Sequence, residues 1–228
     1  MAEHTTQSSV ARAISEVRQR IGDACVRSGR PSVAVTLVGV TKLQPLDRVQ
    51  AAVRCGLADL GESRAQDLGR RIAALEGADS ARWHFLGPLQ RNKTRLVAEL
   101  ASSFHALDRI EIAERLAGQR PADLPPLEVY VQVNIAGEDT KAGVAPVDAA
   151  RLVDAARRFD RLHVAGLMAM PPPVDFAPVN RRWFTALREL AEQVGVDGLS
   201  MGTSADFDVA VEEGATAVRV GRELFGAR

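Results

Sequence analysis

Apolar residues occur along this chain in two patterns, as short continuous runs and as repeats every three or four positions. The first continuous run, residues 33–40, contains four valines and is typical of a strand that is buried on both faces of a parallel sheet. Seven further runs lie near residues 57–60, 83–86, 103–107, 127–133, 162–168, 196–199 and 216–220. The pattern therefore predicts eight strands.

Helical spacing of apolar residues fills most of the intervals between these runs. One helix is predicted over residues 179–194, and another over residues 10–25, before the first strand. Strands that alternate with helices form a parallel sheet, and eight such units close into a (β/α)8 TIM barrel, here with an extra N-terminal helix. A doubly wound α/β sheet is the alternative, but no G-x-G-x-x-G motif follows the first strand. We expect a single domain over residues 1–228.

The balance of charges narrows the classes of function. The 228 residues include 29 lysines and arginines and 29 aspartates and glutamates, so the formal net charge is zero. Nucleic-acid binders and polybasic membrane-surface proteins carry a basic excess, so we expect neither nucleic acid nor a membrane as a partner. The N-terminal residues do not form a secretory signal, and no run of eighteen apolar residues occurs, which favours a cytoplasmic protein.

Metal chemistry has little support in the sequence. Cys25 and Cys55 are far apart and lack C-x-x-C spacing, and no H-x-x-H or H-E-x-x-H motif occurs. We therefore expect no metal site.

An amine at the mouth of the predicted barrel is the first candidate for chemistry. Active sites of such barrels lie at the carboxyl ends of the strands, and Lys42 directly follows the first strand. Of the two other lysines, Lys93 lies in a helical, arginine-rich stretch and is interpreted as a surface residue, whereas Lys141 lies in a loop that could approach the mouth. We interpret Lys42 as an amine that forms a Schiff base. The alternative is a solvated lysine that ends a strand.

Two turns near the C-terminus are candidates for binding an anion. Residues 199–206, which follow the seventh strand, contain hydroxyls, a glycine and the start of a helix. Residues 218–223 follow the eighth strand and open a short terminal helix. Barrels of this kind commonly build a phosphate site from the loops after these two strands. The sequence therefore predicts a phosphate site. The alternative is that Ser204 only caps a helix whose first turn contains Asp206.

A few other polar residues lie near strand ends. His84 lies within or at the end of the third strand and, taken alone, is interpreted as a hydrogen-bonded core histidine. Asn134 ends the fifth strand and could point into the mouth. His105 flanks a strand with no acid–base partner nearby in the sequence. Tyr130, the only tyrosine, is in the middle of a strand and is predicted to pack inside the barrel.

Eight blocks of sequence, in order, match a known family. The chain resembles the pyridoxal 5′-phosphate (PLP) homeostasis proteins, which are relatives of the barrel domain of alanine racemase. The blocks are GVTK (39–42), GESRAQD (61–67), WHFLGPLQRNK (83–93), HALDR (105–109), VNIAGEDTKAG (133–143), GLMAMP (166–171), LSMGTSAD (199–206) and VRVGRELFG (218–226). The resemblance implies an alanine-racemase-like barrel of PLP fold type III, with PLP as the cofactor.

The resemblance also implies roles for individual residues. Lys42 would carry PLP as a Schiff base, and Arg219 would face the pyridine nitrogen and leave it unprotonated. The phosphate would be held by Ser200, Gly202, Ser204, Gly221 and Arg222.

The chain departs from the family pattern at three of the expected cofactor-binding positions. Ser63 replaces an asparagine near the ring hydroxyl, Thr203 replaces a methionine, and Arg222 replaces a threonine, which exchanges a hydroxyl for a charged contact with the phosphate. His84 and Asn134 complete the expected cofactor-binding set.

Taken with the family's known chemistry, these residues favour a carrier over an enzyme. Alanine racemase uses a second base, a tyrosine from an additional domain, and this chain ends with the eighth unit while its Tyr130 lies mid-strand. We therefore expect a monomeric PLP-binding protein for intracellular PLP homeostasis, with PLP-dependent apo-enzymes as recipients and with no catalytic residue. One alternative is a PLP-dependent amino-acid racemase of narrow substrate range. Another is an unrelated phosphate-binding barrel enzyme in which Lys42 forms no imine.

Overall fold

Eight parallel strands form a closed barrel. The computed structural model describes residues 2–77, 80–173 and 176–226. Each strand pairs with the next in the chain, and β1 also pairs with β8, with Thr36 opposite Ala217. The strands are β1 (Thr36–Val40), β2 (Asp59–Glu62), β3 (Arg82–Phe85), β4 (Ser103–Leu107), β5 (Leu127–Gln132), β6 (Leu162–Met168), β7 (Gly198–Thr203) and β8 (Ala217–Val220). The predicted barrel is confirmed.

A helix follows every strand, and one further helix precedes the first. The helices are α1 (Ala2–Arg27), α2 (Leu46–Arg54), α3 (Ala65–Ala74), α4 (Thr94–Leu100), α5 (Ile110–Gln119), α6 (Ala149–Ala156), α7 (Arg181–Val194), α8 (Phe207–Glu212) and α9 (Arg222–Phe225). The order is therefore one extra helix and then eight strand–helix units, as the apolar spacing predicts.

The extra helix α1 packs across the place where the barrel closes. Its buried residues Val10, Ile14, Val17 and Ile21 recur every three or four positions, so they form one apolar face. This helix contacts α2, α8 and α9, which flank the first and the last strands. Arg20 forms ion pairs with both α8 and α9. The helix thus ties the first strand–helix unit to the last two.

Three strands differ from the predicted apolar runs. β1 begins at Thr36 because Ser32–Ala34 form a 3-10 turn. β2 and β7 extend further toward the mouth than predicted, because both continue into polar or small residues that are nonetheless buried. Glu62 and Ser200, in these extensions, are fully buried. An apolar run therefore underestimates a strand whose last residues carry the polar groups of a site.

Candidate functional site

Lys42 lies in a tight turn at the end of β1. Its preceding residue, Thr41, donates its backbone N–H to the carbonyl of Gly61 (2.9 Å), and the N–H of Gln44 donates back to the Thr41 carbonyl (3.0 Å). Leu43, inside this turn, has φ = +60°, in the left-handed region that side chains other than glycine rarely adopt. The Lys42 side chain is exposed at the barrel mouth. The turn, and not burial, therefore presents the amine.

A buried carboxylate holds this turn in place. Glu62 is fully buried and accepts hydrogen bonds from the Thr41 hydroxyl (2.9 Å) and from Nε of Arg71 (2.6 Å). Its other oxygen accepts the backbone N–H of Ser63 (3.2 Å). Glu62 is a positioning residue that the sequence pattern did not single out. The available signal was an acidic residue that ends a predicted strand immediately before Ser63.

The turns after β7 and β8 form a second part of the cavity wall. The backbone N–H of Gly221 donates to Oγ of Ser204 (3.3 Å), which links the two turns. Gly202 has φ = +88°, and a Cβ there would lie 2.6 Å from the Cβ of Ala210, so only glycine fits this position. The linked turns place hydroxyl and N–H donors side by side, as a phosphate group requires.

Asp206 fixes the shape of the first of these turns. One of its carboxylate oxygens accepts the backbone N–H (2.7 Å) and the hydroxyl (3.0 Å) of Thr203, and the other accepts Nδ2 of Asn180 (2.8 Å). The Thr203 hydroxyl is therefore engaged with Asp206. The alternative in which Ser204 caps the next helix is wrong, because α8 begins at Phe207 and has no side-chain cap.

The Lys42 turn and the turns after β7 and β8 line a cavity of about 200 Å³. Met170, Leu86 and Val40 contribute its apolar surface. The predicted site residues that it brings together are Lys42, Ser63, Thr203, Ser204, Arg219, Gly221 and Arg222. Seven of the eleven predicted residues therefore line one cavity, and Ser200 and Gly202 lie in β7 beside it. Lys42 and the linked turns lie on the same cavity, as the sequence predicts.

Arg219 forms part of the cavity wall and is held from behind. Its side chain donates from Nη1 to Oγ of Ser200 (2.6 Å) and from Nη2 to the carbonyl of Ala169 (3.0 Å). Burial lowers the pKa of Arg219 to about 10, although the nearby Asp206 opposes this shift. The guanidinium is therefore still a cation at neutral pH, and its orientation is fixed.

A chain of hydrogen bonds continues from Arg219 through the barrel interior. Oγ of Ser200 lies 2.7 Å from Nδ1 of His105, whose Nε2 lies 2.9 Å from Nδ1 of His84. Nε2 of His84 in turn lies 2.9 Å from Oδ1 of Asp59. We call these five residues, Asp59, His84, His105, Ser200 and Arg219, the interior chain. His105 has no acid–base partner nearby in the sequence, and strand register supplies partners that are distant in sequence.

His105 is held neutral within the interior chain. Burial and, to a smaller extent, neighbouring His84, Arg219 and Arg82 lower the pKa of His105 well below its ordinary value. A neutral His105 offers one donor and one acceptor nitrogen. Each of these nitrogens has a partner, Ser200 for Nδ1 and His84 for Nε2, so the ring is satisfied at both ends.

The remaining predicted site residues lie elsewhere. His84 is 2% exposed and belongs to the interior chain, so it does not line the cavity. Asn134 uses both ends of its amide on the backbone of Glu138, donating to the carbonyl (2.8 Å) and accepting the N–H (3.1 Å). It shapes its own loop instead of reaching the cavity. The structure therefore does not bring the side chains of His84 and Asn134 to the cavity.

Tyr130 packs inside the barrel, as predicted. Its ring stacks on that of His105 with centroids 4.5 Å apart. Gly198 leaves room for it, because a Cβ at Gly198 would lie 2.9 Å from Cε1 of Tyr130. Burial raises the pKa of Tyr130 above its usual range. The phenol is therefore a neutral packing group away from the mouth.

The described residues, 2–77, 80–173 and 176–226, lack two further features. No three or more histidine, cysteine, aspartate or glutamate residues within these ranges are placed to hold a metal ion. Within the same ranges, no helix has the length and apolar character needed to cross a membrane.

Comparison with known proteins assigns the class and then the family. Residues 34–228 match the family described as alanine racemase, N-terminal domain, so the protein is a barrel of the alanine racemase type. The pyridoxal phosphate homeostasis protein of Pseudomonas aeruginosa is 44% identical over 225 residues, covering 97% of this chain and 96% of its own length. That of Escherichia coli is 38% identical over 228 residues, covering 97% of each chain. The chain belongs to the pyridoxal phosphate homeostasis protein family, which confirms the resemblance.

A solved structure of a related protein has the same fold. PipY of Synechococcus elongatus, solved with PLP bound, matches with a TM-score of 0.81 and 28% sequence identity, covering 95% of this chain and 100% of its own.

Proposed function

We propose that this protein binds PLP in the cavity between Lys42 and the turns after β7 and β8, and that it stores PLP and delivers it to apo-enzymes in the cell. The observation that carries the proposal is the placement of an amine and a set of phosphate-type donors on the lining of one cavity. The names of the relatives and the PLP-bound state of PipY support it.

The groups on this lining fit the two ends of PLP. The Ser204 hydroxyl and the exposed guanidinium of Arg222 are donors suited to a phosphate, and the N–H of Gly221 donates to Ser204 and holds that hydroxyl in place. Lys42 would hold the aldehyde end of PLP through its amine, with one water molecule released as the two join. Bound PLP supplies an electron-withdrawing ring conjugated to the bond that joins them. Arg219, still cationic, would donate to the ring nitrogen and leave it unprotonated, which weakens the electron withdrawal.

The cavity favours a carrier over a racemase. Among the described residues that line it there is no histidine, tyrosine, cysteine, aspartate or glutamate, so Lys42 is the one proton acceptor there. Tyr130, the only tyrosine of the chain, is buried against His105. Racemisation needs a base on each face of the substrate carbon, and these residues provide one. We therefore propose no catalytic residue.

The test compares two identical substitutions. The protein is incubated with PLP, its imine absorbance is recorded, and borohydride reduction followed by peptide mass spectrometry locates the adduct. We expect the adduct on Lys42, its loss in Lys42→Arg and its retention in Lys141→Arg, since arginine keeps the charge but forms no such imine. A parent protein that takes up no PLP, or an adduct on another lysine, contradicts the proposal.

A second measurement separates the carrier from the alternative enzyme. The PLP-loaded protein is incubated in deuterium oxide with a panel of amino acids, and exchange at the α-carbon is followed by mass spectrometry. We expect exchange far below ordinary turnover numbers of roughly 1–1,000 per second. Exchange at such rates would favour the racemase.

A further inference from the structure

A second cavity adjoins the first on the other side of Lys42. Its volume is about 700 Å³, within the range of small-molecule binding sites. It shares Lys42 and Ser63 with the first cavity and extends toward the loops after β3 and β4. Its polar lining consists of Lys42, Ser63, Arg64, Gln66, Gln90, Lys93 and Arg109. The sequence blocks around residues 64–66, 88–93 and 109, which the proposed PLP site does not use, therefore meet here.

The lining carries positive charge that the protein itself does not neutralise. Arg109 is paired with Asp108 (2.7 Å) and donates to the carbonyl of Leu89 (2.8 Å). Arg64 and Lys93, by contrast, have no side-chain hydrogen bond or ion pair within the described part of the chain, and no described carboxylate lines the cavity. Lys93 is half-buried and lines this cavity at the protein surface. Two unpaired cations thus face one concave space.

Some exposed cations, such as Arg54, Arg70, Arg95 and Arg188, have acidic partners, and others, such as Arg91, Arg115 and Arg158, have no ion pair among the described residues. Arg64 and Lys93 differ from the second group because both line one cavity. The two unpaired cations face the same cavity and repel each other. A bound anion would remove this repulsion and would accept charge-assisted hydrogen bonds from both. The uncapped N-terminal end of α3, beginning at Ala65, lies on the same wall and adds to the positive potential.

We propose that this second cavity binds a small anionic molecule through its carboxylate or phosphate group, with Arg64 and Lys93 as its principal ligands. The anion would lie beside Lys42, next to the bond that the proposed function forms there. The inference goes beyond the proposed function and does not depend on it, because neither Arg64 nor Lys93 lines the PLP cavity.

The experiment titrates the full-length protein with two probes, succinate and inorganic phosphate, by isothermal calorimetry at low ionic strength. Each probe is used on the cofactor-free protein and on the PLP-loaded, borohydride-reduced protein, in which the phosphate seat is filled. The variants are Arg64→Gln and Lys93→Gln. The matched control is Arg91→Gln, which removes one charge from the same 3-10 turn as Lys93, from an exposed position that does not line the cavity.

We expect saturable binding of at least one probe, weakened about tenfold by Arg64→Gln and by Lys93→Gln, since one hydrogen bond to a charged group contributes about one decade of affinity. Arg91→Gln should leave binding unchanged. Binding of succinate alone assigns a carboxylate ligand, and binding of phosphate alone to the reduced protein assigns a phosphate ligand. If neither probe binds, or if Arg91→Gln weakens binding as much as Lys93→Gln, the proposal is overturned. Failure of PLP uptake would leave the cofactor-free titration unaffected, so the two proposals fail separately.

Discussion

The barrel interior and the barrel mouth treat polar groups in opposite ways. In the interior chain each side chain bonds to the next, and the end groups Asp59 and Arg219 carry opposite charges. At the mouth, Lys42 and Arg222 are exposed, and Leu43 is held in a left-handed conformation. The interior is therefore satisfied by its own side chains, whereas the mouth exposes cationic groups and holds one residue in a strained backbone conformation.

Arg219 belongs to both regions, and this explains why the interior chain exists. A guanidinium on a cavity wall serves recognition only if its orientation is fixed. Ser200 and the carbonyl of Ala169 fix two of its donors, and His105 fixes Ser200. The hydrogen bonds of the interior chain thus fix the orientation of the Arg219 side chain at the cavity.

The largest expected effect comes from breaking the interior chain. His105→Ala should lower the free energy of unfolding by about 3 kcal/mol, because it opens a cavity against Tyr130 and leaves the buried partners His84 and Ser200 each without a bond. Chemical denaturation measures the change. The control is His163→Ala, on the exposed face of β6, which should change stability little. Equal effects from the two substitutions would contradict the role assigned to His105.

The sequence predicts the fold and the mouth far better than the interior. Eight apolar runs with helices between them predict eight strands, and position after a strand predicts that Lys42, Ser204 and Gly221 share the mouth. Both inferences are local, since each uses only a residue and the strand beside it. The strand order then places the turns after β7 and β8 next to β1.

The interior chain is not local, so the sequence does not predict it. His84 and His105 are 21 residues apart, and His105 and Ser200 are 95 apart. Their contacts depend on strand register and on which face of each strand points inward. A strand that is apolar on both faces gives no information about either. For Asn134 the position after β5 is predicted correctly, but the direction of its side chain is not. The side chain bonds to its own loop and does not reach the cavity.

The second expected effect is a dependence of stability on pH that originates in the interior. An unfolded histidine takes up a proton near pH 6.5, whereas buried His105, with its lowered pKa, stays neutral well below that pH. Below about pH 6.5 the unfolded state therefore binds more protons than the folded state, and stability falls as pH falls, by up to about 1.4 kcal/mol per pH unit.

The measurement is the free energy of unfolding between pH 7 and pH 5, compared between the parent and His105→Gln. Glutamine can bond to both neighbours but cannot take up a proton, so the variant should show the shallower dependence on pH. Asp108, whose pKa burial raises, acts with the opposite sign in both proteins and cancels in the comparison. Identical slopes would mean that His105 is not the source of the dependence.

The smallest expected effect has the opposite sign and comes from the mouth. Leu43 has φ = +60° and is 62% exposed, so its side chain loses little burial if it is removed. Leu43→Gly should raise the free energy of unfolding by about 0.5–1 kcal/mol, because relief of left-handed strain exceeds the entropy that glycine adds to the unfolded chain. Val147→Gly makes a similar change at an exposed position with negative φ and should destabilise instead. Thermal unfolding of the two variants measures whether the turn that presents Lys42 is strained. A loss of stability in Leu43→Gly would mean that the turn is not strained at Leu43.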